Sequence, residues 1–343
     1  MRLNYLPSII YFGMPMGLLG AGLNAHQLVE FFALEFDFSI ILLSLGWVSF
    51  IFIFFHYVWH LIRVNNRSQL VQEWYDPFRR SFIPAVSLTL ILFIISVSKV
   101  LGEIYTINQA WLLTSVLTVS VLHLMLNIFL INGWFFDSHV QLNHHKPTWF
   151  ILLSANFIIV IALLTLFQPE KSSFLYELSF FFYAIAMFLW IAFTTSLFYK
   201  LIFDAPIQIH LRPSLFIFLA PPSLGCVASL FISDSYIATG FVTSEAIGVV
   251  TWASFSFASV MFIIWLFNYR FFTQSGLSMA GWSYVYPLAA YGLASQYLAQ
   301  ALTSQFLAVY SITIFVALIA FIVLLSTWFF RQAFLNSSKV PSA

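Results

Sequence analysis

The chain has 343 residues, of which 62% are hydrophobic, 20% aromatic and only 7% charged, and 42 of them are phenylalanine. Its 13 lysines and arginines and 12 aspartates and glutamates are too few to cover the surface of a water-soluble fold of this size. A formal net charge of +1 leaves no basic field for nucleic acid, and the single cysteine, Cys226, excludes an intramolecular disulfide and a thiolate metal cluster.

What remains is an all-α polytopic membrane protein with no residues left over for a soluble domain. Crossing ~30 Å of hydrocarbon takes about 20 apolar residues. That rule predicts ten spans, at 7–24, 39–62, 82–100, 108–130, 148–167, 178–199, 213–232, 242–268, 280–300 and 305–330. The first apolar run has no polar region and cleavage site after it, so a retained first span is expected. Most connections are short, which predicts antiparallel neighbours. With a cytoplasmic N-terminus, eleven of the 13 basic residues fall inside and only Lys99 and Lys171 fall outside. An even number of spans then returns the C-terminus to the cytoplasm.

The prolines separate two kinds of span. Pro15 lies in the first, Pro84 and Pro147 near the starts of the third and fifth, Pro213, Pro221 and Pro222 in the seventh, and Pro287 in the ninth. The even spans contain none. Proline removes a backbone hydrogen bond and bends a helix, and in lipid the freed carbonyl must be met by protein or water. This predicts a helical-hairpin repeat with Pro15, Pro84, Pro221, Pro222 and Pro287 kinking inner, odd-numbered helices. Two simpler causes stay open: membrane helices tolerate proline in general, and Pro84 and Pro147 also suit helix starts. Gly13 and Gly17 have a small-xxx-small spacing suited to close helix approach. Phe50, Phe52, Phe54 and Phe55 in the second span read as a lipid-facing or intersubunit wall.

No Asp, Glu, Lys or Arg sits near the centre of a span, so the carboxylate relay of many proton-driven carriers is not present. His123, in the fourth span, is expected to be packed and hydrogen-bonded. His56 and His60 are one turn apart but lack a third ligand, so no metal site is predicted. His139, His144 and His145 read as cytoplasmic surface. No catalytic triad or acid pair is visible, so neither an enzyme nor a cofactor is expected. An uncharged route would use small polar groups, and Ser87, Thr89, Ser154, Asn156, Ser223, Ser229 and Ser283, with Gly13 and Gly17, are the pore-lining candidates. Arg63, Arg67, Arg79, Arg80 and Arg212 either set topology or raise anion concentration at an inner mouth, and the two roles are compatible. Composition thus leads to a pore or carrier for a small solute and does not name it.

Four stretches resemble the tellurite-resistance and C4-dicarboxylate transporter family, which includes the plant slow anion channels. They are Tyr11-Phe12-Gly13-Met14-Pro15-Met16-Gly17-Leu18, Glu73-Trp74-Tyr75-Asp76-Pro77 continuing to Pro84, Ala220-Pro221-Pro222-Ser223, and Gly281-Trp282-Ser283-Tyr284-Val285-Tyr286-Pro287-Leu288. The resemblance implies a homotrimer in a lipid bilayer, expected here to be a bacterial inner membrane. Each protomer would have its own pore, with five odd helices inside five even ones. It implies passive transport of a small inorganic or organic anion: chloride, nitrate, sulfite or a dicarboxylate such as malate. The family's occluding phenylalanine before the ninth-helix proline corresponds here to Tyr286, the expected gate. The fifth span departs from the family in having no proline in its interior. A proton-coupled exporter of sulfite or dicarboxylates is the alternative, and a non-transporting membrane sensor is a third.

Overall fold

A computed structural model describes residues 8–63, 67–102, 105–137, 140–167, 174–204, 206–236 and 244–337. The described residues form helices and connections without a strand. The long helices are α1 (Gly13–Phe32), α2 (Ser39–Arg63), α3 (Pro84–Gly102), α4 (Gln109–Phe136), α5 (Phe150–Phe167), α6 (Phe174–Phe203), α7 (Ala220–Tyr236), α8 (Ser244–Phe267), α9 (Trp282–Leu302) and α10 (Gln305–Ser337). Among the described residues, eight helical segments are long and apolar enough to cross a membrane. The long helices α1 and α9 are not among them. Both carry amides and other polar groups along their length, Asn24, His26, Gln27 and Glu30 in α1 and Ser295, Gln296 and Gln300 in α9.

Helix contacts follow a simple rule. Each odd-numbered helix packs on the even-numbered helix that follows it, and on the odd-numbered helices before and after it in the chain. The series closes because α9 also packs on α1. Burial divides along the same line. The Pro147–Phe167 segment has 83% of its most apolar stretch buried, against 22% for Phe174–Phe203. The remaining faces of the even helices present large apolar side chains such as Phe52, Phe55, Phe129 and Phe188, as expected where lipid is the solvent.

Most of the prolines act differently from the kinks expected of them. A 3-10 helix precedes four of the odd helices: Ile9–Phe12 before α1, Pro147–Trp149 before α5, Ile209–Leu219 before α7 and Met279–Gly281 before α9. Before α3, the bonds Phe82 N–H to Arg79 O and Ala85 N–H to Phe82 O make the same tight i to i+3 turn. Pro15, Pro84, Pro221 and Pro222 fall in the first turns of their α-helices. They mark junctions from 3-10 to α geometry. Among these five, Pro287 alone sits in an α-helix interior.

Gly13 and Gly17 do not act as a pair. A Cβ on Gly17 would lie 3.1 Å from Val285 of α9, whereas one on Gly13 would meet only Phe82 at 3.9 Å. The tight crossing is between α1 and α2, where Gly22 faces Leu43 and Gly46 faces Leu19.

His145 is not a surface residue. It is 5% exposed, edge-on to Trp149 with ring centroids 4.6 Å apart, and within 3.2 Å of the Ser196 hydroxyl. Burial, with the neighbouring Lys200 charge, pushes its imidazole down to about 4 from the ordinary 6.5. The unfolded chain therefore binds a proton that the folded one refuses. Stability is complete above pH ~6.5 and declines as pH falls toward 4. Between pH 7 and pH 5 the protein should lose about 2 kcal/mol through this group. Melting temperatures at the two pH values should differ less in His145→Asn than in the parent.

Candidate functional site

Residues of all five odd helices line a partly open cavity. Its lining comes from Gly20, Leu23 and Gln27 of α1, Leu92, Ile95 and Lys99 of α3, Ile158, Ile161 and Thr165 of α5, Leu224 of α7, and Tyr286, Ala289, Ala290, Leu293 and Tyr297 of α9. In α1, α3 and α5 these positions recur at i, i+3 and i+7, the spacing of one helical face. The cavity measures about 40 Å³, room for a few water molecules. Its polarity is graded. Gly20, Leu92, Ile158 and Leu224 are its first residues in their helices and are apolar, whereas Gln27, Lys99, Thr165 and Tyr297 are the last in theirs.

Tyr286 lines the cavity beside Gly20. It is 2% exposed, and its hydroxyl has no hydrogen-bond partner among the described residues. The ring packs against α1 where Gly20 has no side chain. A Cβ there would stand 3.0 Å from Tyr286 Cδ2. One turn away, Gly17 takes Val285 in the same manner.

The polar end is organised by charge. Lys99 Nζ lies 3.6 Å from Glu30 Oε2, Glu30 Oε1 lies 3.3 Å from His26 Nε2, and His26 Nδ1 lies 3.5 Å from Asp37 Oδ2. Beside this chain of charges, an amide seam fastens α1 to α9. Asn24 Nδ2 donates to the Ala289 carbonyl at 2.8 Å, and Gln296 Nε2 donates to Asn24 Oδ1 at 3.1 Å.

None of the nine residues expected to line a pore belongs to the lining of this cavity. Ser87 turns to α4, its hydroxyl 2.8 Å from His123 Nδ1, while His123 Nε2 donates to the Leu152 carbonyl at 3.2 Å. His123 is thus a packed, hydrogen-bonded histidine. Asn156 exchanges amide hydrogen bonds with Asn127 of α4, and Ser229 bonds Thr251 of α8 at 2.7 Å. Thr89, Ser154 and Ser223 donate to carbonyls one turn back, at Ala85, Phe150 and Leu219. Ser283 is 8% exposed and one turn from Tyr286 on α9.

The basic residues are also committed to structure. Arg79 pairs with Asp76 at 3.7 Å, and Arg80 is buried with its guanidinium 4.4 Å from the Trp74 ring centroid, filling the space beside Gly133. Arg212 stacks 4.0 Å over Phe271 and donates to Gln274. The side chains of Arg63 and Arg67 lie outside the described residues, as does Lys171. Sequence reasoning missed Gln27, Lys99, Thr165 and Tyr297. Lys99 alone carried a usable signal, as one of two cations on the side opposite the basic cluster.

The chain is 22% identical over 247 residues, 70% of each chain, to a protein of Methanocaldococcus jannaschii described as an uncharacterized transporter. The family described as voltage-dependent anion channel matches residues 8–329. With nearly its whole length matched, the protein belongs to the voltage-dependent anion channel family.

Proposed function

We propose that the protein carries small anions passively through a pore in each protomer, with Tyr286 as the occluding plug. The observation that carries this reading is the cavity lined by all five odd helices, with Tyr286 among its lining residues. Five hairpins, with odd helices inside and even helices outside, account for the closed series of contacts and the division of burial. Both termini are cytoplasmic in this reading, and the polar end of the cavity opens outward. Beyond Tyr286 the same helical faces lead back through Gly13, Ser154 and Ser283 toward the cytoplasm. The apolar outer faces of the even helices suit lipid and a homotrimer, in the inner membrane of a bacterium. Membership of an anion-channel family supports chloride, nitrate, sulfite or a dicarboxylate such as malate as cargo.

Passive flow fits the cavity better than proton coupling, because its lining includes no carboxylate and no histidine. Purified protein in liposomes should give currents whose reversal potential follows an imposed chloride or nitrate gradient. A reversal potential that moves with a pH gradient at constant anion concentrations would instead identify a coupled carrier.

A further inference from the structure

Resting on the anion reading above, we infer that the polar end of the cavity is a capture site for small monovalent inorganic anions, formed by Lys99 and screened by Glu30. Lys99 is the one charged residue lining the cavity among the described residues. It pairs with Glu30 at 3.6 Å, and because an ammonium has three donors the carboxylate lowers the local potential and still leaves donors for an anion. Glu30 cannot swing freely onto Lys99, because its other oxygen is held by His26, which is held in turn by Asp37. The carboxylate is a fixed neighbour of the site.

Charge and size then select the ligand. A monovalent anion gains the attraction of one ammonium and meets limited repulsion. A dianion brings a second negative charge toward Glu30 and Asp37, with no second cation in the lining to meet it. A cavity with room for a few water molecules admits chloride or nitrate in this conformation. Gln27, Thr165 and Tyr297 supply the polar rim through which the ion exchanges its water.

The test is chloride current through the Y286A protein in planar bilayers, titrated from each face separately. Lys99→Gln in that background should raise the half-saturating chloride about threefold or more from one face only, with Lys99→Arg restoring it. Glu30→Gln should lower it about twofold and raise the permeability of malate relative to chloride. Unchanged half-saturation in Lys99→Gln, or weaker chloride binding in Glu30→Gln, overturns the capture site and leaves anion transport standing. No chloride current through Y286A itself overturns both.

Discussion

Tyr286→Ala should raise anion conductance about tenfold or more over the parent, equivalent to removing roughly 1.4 kcal/mol from the permeation barrier. The expectation rests on where the ring lies. It lines the cavity, is almost wholly buried, and is backed by the bare backbone at Gly20. Taking the ring away removes both the steric block and the apolar surface that keeps water out. Tyr286→Phe separates ring from hydroxyl. Because the hydroxyl is buried without a partner among the described residues, its removal should leave the pathway closed and stabilise the fold by about 1 kcal/mol. Conductance of Tyr286→Ala equal to the parent, in a protein that melts normally, would remove Tyr286 from the mechanism.

Gly22→Val is expected to cost about 1–3 kcal/mol through overpacking, among the largest effects of any single change in α1. Even one added carbon would stand 3.0 Å from the backbone nitrogen of Leu43, which no rotamer change can relieve. Gly46 makes the reciprocal approach, with a Cβ 3.2 Å from the Leu19 nitrogen. In lipid, apolar burial gives little drive for helix association, so close backbone approach of this kind carries much of it. A melt in detergent should show Gly22→Val and Gly46→Val each well below the parent, with Gly13→Val nearly unaffected. Equal melting of all three would show that the α1–α2 crossing does not depend on small residues.

The helices were legible in the sequence because length and apolarity are what a membrane demands. The same rule predicted α1 and α9, although their polar side chains keep them out of the eight segments apolar enough to cross a membrane among the described residues. The cavity was not legible, for two physical reasons. A helix such as α5 is buried on every side, so nothing in its composition distinguishes the face bearing Ile158 and Ile161 from the others. Hydroxyls were also misleading guides to a water-filled route. A serine in a nonpolar surrounding is satisfied first by a carbonyl one turn back or by a neighbouring helix, as Ser154 and Ser229 are. Prolines drew attention to the correct helices for a different reason from the one expected, since most of them mark where a 3-10 segment becomes α.

That change of helical form alters the dimensions of the seventh segment. Eleven residues, Ile209–Leu219, are wound as a 3-10 helix, which advances about 2.0 Å per residue where an α-helix advances about 1.5 Å. The stretch therefore reaches about 5 Å further than the same residues would as α, and stacks Leu211, Ser214 and Ile217 in one straight column instead of a slanting stripe. Leu224 arrives at the cavity at a height and angle fixed by that thinner, longer winding.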